Sequence, residues 1–427
     1  MKVALFWFRR DLRLEDNTAL NQVLKSGFTV LPIFIFDKEI ISELPKNDAR
    51  VNFIHQTLKK INTQLQGNAS SLKILLAKPM EAFRELIKEY NVVKVYCNKD
   101  YEPYAIKRDK DIKSFLNSNN IEFHDFKDQV IFEENEITKD DGKPYTIYTP
   151  FKNKWLQKFS KEVHLPQVLS DGSFIKEEYS FPSIEEIGFS QSQIKVKPFT
   201  LSNLKKYSTT RDIPEEDGTS YLSPHLRFGT ISPRQIIKKL GKDDSIFLSE
   251  LIWREFFMQI LFHFPKVVSE NFKAKYNGIK WRNNEEEFEK WCEGKTGYPM
   301  VDAGMRQLNQ TGYMHNRVRM VTAGFLCKHL LIDWKWGEAY FAKKLLDYDL
   351  SANNGNWQWS AGTGCDSAPY FRIFNPSEQI KKFDSKFNYI KKWIPEFGQL
   401  DYPNPMVDHK YARERALTTY KEGIENA

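Results

Sequence analysis

The pattern of apolar and polar positions divides the chain into two regimes. Over the first 130 or so residues, short β-rich apolar runs (Val3–Phe8, Val30–Phe36, Lys73–Leu76 and Val92–Tyr96) alternate with helix-period stretches such as Arg50–Leu65 and Met80–Tyr90. Pro79 precedes the second of these, where its missing N–H suits a helix start. Strands alternating with helices predict a parallel sheet with helices on its faces, an α/β domain of the doubly wound kind over residues 1–131. Between 132 and 198 the periodicity lapses, and turn residues such as Asp140-Asp141-Gly142 and Asp171-Gly172-Ser173 break up short aromatic pieces. That stretch predicts a long interdomain linker on the surface. From 199 to 427 the period is helical: Ser232-Pro233 caps a helix that Gly241 stops, and Ser249–Phe264 is strongly apolar up to Pro265. Further helical patterns cover Tyr298–Thr311, Asn316–Leu331 and Gly337–Leu346, so the second half reads as an all-α domain.

Composition narrows the class. With 427 residues the chain has room for two or three domains, and 41% hydrophobic against 28% charged residues excludes disorder. No apolar run reaches 18 residues and the mean hydropathy is −0.57, which excludes a membrane-spanning helix. The first apolar run is cut by Arg9-Arg10, too early for a secretory signal, and cysteines 97, 292, 327 and 365 are widely separated. A reduced, cytoplasmic location is expected. The net charge of +7 permits a polyanionic partner without requiring one. Of ten tryptophans, seven fall between 253 and 359, either as a large core or as walls for a flat ligand.

Two motifs fail on inspection. Gly294-Lys295-Thr296 resembles the end of a phosphate-binding loop, but Glu289 stands where its first glycine belongs; Gly362-Thr363-Gly364 lacks the third glycine of a dinucleotide fingerprint, with Ser367 there instead. The histidines and cysteines show no paired ligand spacing, so no metal is expected.

Other blocks are harder to dismiss. Thr219-Ser220-Tyr221-Leu222-Ser223 offers hydroxyls and turn amides for a diphosphate, although taken alone it reads first as a turn with a capping serine. On the helix after Ser249, Glu250, Trp253, Arg254 and Phe257 share one face by i, i+3, i+4, i+7 spacing. A carboxylate and an indole there suggest a pocket for a polar ring, with an exposed Glu250–Arg254 ion pair as the alternative. Asn316, Arg319 and Met320 share a face, with Arg317 turned away. Residues 347–359 (Asp347-Tyr348-Asp349 through Asn353 to Trp357-Gln358-Trp359) are too polar for a core and too aromatic for an ordinary loop.

These blocks carry a resemblance. The stretch Phe6–Asn17, Gly218–Ser223, Glu250–Phe256, Gly294–Ala303 and the 315–320 and 347–359 segments resemble, in order and nearly end to end, the signatures of the photolyase/cryptochrome family, most of all its class I cyclobutane pyrimidine dimer photolyases. The resemblance implies a light-driven DNA repair lyase with FAD in the helical domain. Tyr207, Thr219, Ser220, Tyr221, Leu222 and Ser223 would then hold the phosphates and ribityl chain, with Arg254 nearby. Arg319 would pair with Asp347, the Asp347-Tyr348-Asp349 segment would face the polar edge of the flavin, and Asn353 would face its N5. Glu250, Trp253, Asn316, Met320 and Trp359 would surround a pyrimidine dimer flipped out of UV-damaged DNA, which stacks and pairs poorly and is easily extruded. Arg211, Arg317, Arg372 and Gln379 would hold the DNA backbone. Trp357, Trp334 and Trp281 match the family's electron-relay triad.

Departures from the pattern discriminate among relatives. The (6-4) photolyases would place a second histidine at Asn316, and DASH-type cryptochromes usually have Gln at Met320 and Tyr at Trp359. The rival reading is a blue-light photoreceptor acting through a partner; the intact set of Glu250, Asn316, Met320 and Trp359 argues against it, as does the lack of the C-terminal extension that signalling cryptochromes usually carry. An ordinary nicotinamide-dependent flavin oxidoreductase lacks its dinucleotide fingerprint. The family's first domain holds an antenna pigment (folate, deazaflavin or a second flavin), and Tyr96–Tyr104 lies where its contacts often occur, without identifying it. A monomer is expected.

Overall fold

The computed structural model describes residues 1–164 and 166–426. Five parallel strands, β1 (Lys2–Phe8), β2 (Thr29–Asp37), β3 (Lys73–Ala77), β4 (Asn91–Asn98) and β5 (Glu122–Phe126), lie in the order β3-β2-β1-β4-β5. The central strand β1 is apolar from Val3 to Phe8 because it is covered on both faces. Val3, Leu5 and Trp7 enter one core, and Ala4, Phe6 and Phe8 the other. Leu5 lies beside Leu31 and Val95 in the register. The four expected strands form within a residue or two of their expected ends. The edge strand β5, Glu-Phe-His-Asp-Phe, escaped because its polar alternation is weak evidence for a strand. The helices Thr18–Leu24 and Pro103–Ser118 likewise lie outside the expected elements.

The sheet order reverses between β1 and β4, and a crevice at their carboxyl ends is lined by Arg9, Arg10, Asp11, Asn98, Lys99 and Asp100. Below it lies a buried ion network. Arg13 and Arg234 reach Asp128 at 2.6 and 2.7 Å, and Arg234 also holds Asp16. Burial would raise the Asp128 carboxyl, but the two guanidinium groups outweigh it and pull it down to about 2.

By their contacts the described residues group into two units, one of 1–137, 154–199 and 221–242, the other of 138–153, 200–220 and 243–427. The expected linker is thus shared between them. It also contains a helix, Tyr148–Lys158, whose Phe151 and Trp155 are buried four residues apart. Within the first unit, Val30 bridges to Phe174, so this stretch runs along the start of β2.

The second unit is helical. Its principal helices are Ser245–His263, Pro299–Thr311, Asn316–Gly324, Trp334–Lys344 and Leu350–Ala361. The Ser245–His263 helix begins four residues ahead of the expected start. The Asn316 helix is not one continuous α-helix to Leu331; at Phe325–His329 it widens to a π turn closed by Leu330 N–H on the Phe325 carbonyl. That turn carries Lys328 inward, where Nζ donates to the carbonyls of Ala361 (2.7 Å) and Tyr370 (3.1 Å) and lies 3.8 Å over the Tyr420 ring. Among the described residues, no helix is long and apolar enough to cross a membrane.

Candidate active site of the helical unit

Two helices carry most of the site, and they approach closely because one of them has no side chain at the contact. A Cβ on Gly355 of the Leu350–Ala361 helix would lie 2.2 Å from the Phe257 ring of the Ser245–His263 helix. Phe257 in turn packs on Trp253, at 5.5 Å and 27°. One turn back, Glu250 accepts a hydrogen bond from Arg211 Nη1 at 2.7 Å, and the pair is only partly exposed. The expected alternative partner, Arg254, is therefore not the one that meets Glu250 in its closest ion pair. Arg211 also lies over the Tyr207 ring, whose hydroxyl burial raises to about 12.

Arg317 donates to Asp212 at 2.9 Å and lies 4.4 Å over Phe383. Arg319, on the other side of the same helix, donates from Nη2 to both oxygens of Asp347 (2.9 and 3.2 Å) and from Nε to the Met314 carbonyl. The opposite orientations of the two arginines follow the helical spacing. Asn316 is exposed at the helix start and Met320 is half-buried. His315 caps this helix, accepting from Arg317 N–H, and burial pulls its imidazole down to about 4, which keeps it neutral and able to accept.

The 347–359 block divides its polar groups among three tasks. Asp349 is the N-cap: its Oδ1 accepts from the amides of Ser351 and Ala352 and from the Ser351 hydroxyl. Asn354 and Gln358 both donate to the Val267 carbonyl at 2.9 Å, and Gln358 accepts from Phe272 N–H, so these amides fasten the 265–272 turn. Asn353 donates from Nδ2 to the main-chain oxygen of Glu338 (3.1 Å) and to its Oε1 (2.8 Å). That fixes the amide's orientation and leaves Oδ1 as the acceptor it presents. Glu338 is held above the usual carboxylate range by burial, partly offset by the Asn353 hydrogen bond.

Trp334 and Trp357 are buried in the main helical core and Trp281 packs half-buried against its edge. Trp357 lies edge-on to Phe341 (4.9 Å) and Trp291 (6.1 Å); Trp334 donates from Nε1 to Asn271, and Trp281 meets Tyr420 edge-on at 5.8 Å. Trp359 is half-buried, Arg372 is exposed, and Gln379 is half-buried with its amide oxygen enclosed and unpartnered within the protein. Thr219 and Ser220 group with the helical unit, and Tyr221, Leu222 and Ser223 with the sheet unit. There Tyr221 accepts from Lys197 Nζ at 3.0 Å, and Ser223 begins a short helix to Phe228. Tyr348 is half-buried beside the main core.

Sequence reasoning missed Tyr148, which stacks on Trp253, and Glu338, which orients Asn353. Tyr148 sits in a Tyr-Thr-Pro-Phe string with no helical period, and Glu338 is fifteen residues from its partner. Neither leaves a local signal. No group of three or more potential metal ligands occurs among the described residues.

Comparison with known proteins gives the family. Residues 247–401 match the family described as the FAD binding domain of DNA photolyase, and residues 4–168 match the DNA photolyase family. A deoxyribodipyrimidine photo-lyase of Vibrio cholerae is 36% identical, covering 98% of this chain and 99% of that protein. The crystal structure of a bacterial class III photolyase from Agrobacterium tumefaciens aligns with a TM-score of 0.88 at 34% identity, covering 100% of this chain and 98% of that one. An archaeal photolyase from Sulfolobus tokodaii, described with two FAD molecules and a novel light-harvesting cofactor, aligns at 0.87 and 35% identity over 98% of this chain and 100% of that one. The residues present fit FAD: a buried amide oriented as an acceptor, an acid–guanidinium pair and flat aromatic neighbours in one helical unit.

Proposed function

The chain belongs to the DNA photolyase family, and from that premise we propose how its residues carry out light-driven splitting of cyclobutane pyrimidine dimers in UV-damaged DNA. When bound, FAD in its reduced and light-excited state supplies one electron to the dimer, whose cyclobutane ring opens and returns it. Tyr207, Thr219, Ser220, Tyr221, Leu222, Ser223 and Arg254 hold the cofactor's phosphates and ribityl chain. Arg319 with Asp347, Tyr348 and Asp349 lines its polar edge, and Asn353 offers its amide oxygen to N5–H.

Trp253 and Trp359 form flat walls for the flipped dimer, with Met320 and Asn316 along its rim. Glu250, facing Arg211 across 2.7 Å, is a carboxylate that accepts the N–H of the pyrimidine imide. Arg211 then sets a positive charge beside the base that becomes negative after electron transfer, where preorganised charge counts most. Arg211, Arg317, Arg372 and Gln379 steady the phosphodiester backbone. Trp281, Trp334 and Trp357 pass electrons inward from the surface when the flavin is oxidised. The working division is an antenna-type domain at 1–131, a connector at 132–198 and a catalytic domain at 199–427, acting as a cytoplasmic monomer. Mass spectrometry of copurifying pigments distinguishes a folate, a deazaflavin or a second flavin as antenna.

The observation that carries this reading is the half-buried Glu250, paired with Arg211, one turn from Trp253 on a largely apolar helix. The test is repair of an oligonucleotide with one thymine dimer by protein plus reductant, in blue light and in darkness. Restored thymines in the light alone are the expected result. No repair with reduced flavin bound would overturn it in favour of a photoreceptor.

A further inference from the structure

Tyr148 touches three parts of the dimer site at once. Its ring lies flat on the Trp253 indole, with centroids 3.6 Å apart and planes 9° apart. Its hydroxyl contacts Ser249, the residue before Glu250, donating to the carbonyl at 2.7 Å with the Ser249 hydroxyl at 2.6 Å. Its backbone N–H donates to Asp366 Oδ2 at 3.0 Å. Asp366 belongs to the loop that leaves the Trp359 helix, folds back through the amides of Thr363 and Gly364 on the Gln358 carbonyl, and runs on to Arg372. The other side of the same cluster is closed by Phe256, edge-on to Tyr148 and Trp253.

Aromatic pairs ordinarily prefer an offset or an edge contact; the near-parallel stack here is held by the contacts of Tyr148 with Ser249 and Asp366, which fix the tilt of Trp253. Tyr148 is buried, and Trp253 keeps only part of its surface open. The indole face under Tyr148 is therefore taken, and the dimer meets what Tyr148, Phe256 and Phe257 leave open. A flexible side chain on Ser245–His263 alone would rotate about χ1 and χ2; here the ring is clamped against its own helix through Ser249 and referred to the Trp359 loop through Asp366. The spacing between the two indole walls is thereby set before DNA arrives, which spares the ordering of a side chain on binding.

We infer that Tyr148 is a positioning residue for dimer recognition, holding Trp253 at a fixed tilt and distance from the Trp359 loop. The inference rests on the reading of Trp253 as a wall of the dimer site. Loss of the ring removes preorganisation for the dimer and leaves the phosphate contacts to ordinary duplex untouched.

The test is binding in the dark by FAD-loaded protein to two duplexes, one with a single thymine dimer and one undamaged. Tyr148→Leu keeps bulk without a flat face and is expected to weaken dimer binding roughly two- to tenfold, the worth of an aromatic pair, with undamaged duplex and FAD absorbance unchanged. Tyr148→Phe, which keeps the stack, restores binding to within about twofold of the parent on the same scale. In a Trp253→Ala background, Tyr148→Leu adds no further loss. Dimer binding by the leucine variant as tight as the parent's, or equal losses on both duplexes, would overturn the inference. Where the leucine variant does not load FAD, Tyr148→His decides: an unchanged preference for the dimer duplex overturns it. Trp253→Ala measured alongside separates the two failures. If it leaves dimer binding intact the site reading fails; if it weakens binding while the Tyr148 variants do not, only the positioning role fails.

Discussion

Glu250 and Arg211 sit 2.7 Å apart, 39 residues apart in the chain, and that pairing governs what Glu250 does. A carboxylate so paired accepts a proton-bearing edge. Glu250→Ala should retain FAD yet weaken dimer binding by about tenfold or more, the scale of a hydrogen bond to a charged group, with lower repair per absorbed photon. Unchanged binding and repair would remove Glu250 from the dimer site. Trp357 is a second case. Its rings are enclosed by Phe341 and Trp291, so Trp357→Phe keeps most of the packing while removing the indole. Photoreduction of oxidised protein should stop, and repair after chemical reduction should persist. Flash photolysis with undiminished photoreduction would show that the electron takes another route. At this scale the sequence exposed the i, i+3, i+4 face of Glu250, Trp253 and Arg254, because helical spacing is local. It could not orient the Asn353 amide, because the group that does so, Glu338, comes from a neighbouring helix.

Elements are joined in the helical unit by contacts with no tolerance for volume. Gly355→Ala places a methyl 2.2 Å from Phe257. Overpacking of this kind costs about 1–3 kcal/mol, against at most about 1 kcal/mol gained from replacing glycine in a helix. The expected outcome is a lower melting temperature and lost FAD occupancy, since Asn353, Trp357 and Trp359 ride on the displaced helix. The π turn at Phe325–His329 makes a pH prediction. Burial pushes the Lys328 ammonium down to about 7, from 10.5 when exposed. Below about pH 7 both folded and unfolded chains hold its proton, and the folded state carries the buried charge. Between about 7 and 10.5 the unfolded chain binds more protons, so this group makes stability rise with pH, by at most about 1.4 kcal/mol per unit. Lys328→Met should lose that component of the rise in urea midpoints between pH 7 and 9. An identical slope in both proteins would show that the ammonium is solvated.

Over the whole molecule the net charge of +7 gives a weak general attraction to DNA, and three arginines are assigned to its backbone. Two of them already face carboxylates, Glu250 and Asp212, so between one and three phosphates' worth of counterions should be released. At a slope of about −0.9 per phosphate, raising salt from about 50 to about 200 mM should weaken binding by between roughly threefold and fortyfold, for damaged and undamaged duplex alike. A salt-independent affinity would remove the arginines from the interface. By itself, the sequence determined the alternating strands and helices of the first part of the chain and the helical character of the second, because periodicity and short-range spacing are set by neighbours along the chain. The 132–198 stretch defeated it: Tyr148–Lys158, the one regular helix among its described residues, is held by contacts made far away in the chain, on Ser249, Trp253 and Asp366 for Tyr148. Which arginine meets Glu250, which way Asn353 turns and what lies behind Trp253 were decided by the tertiary structure alone, since each depends on a partner brought in across helices, where no local pattern records it.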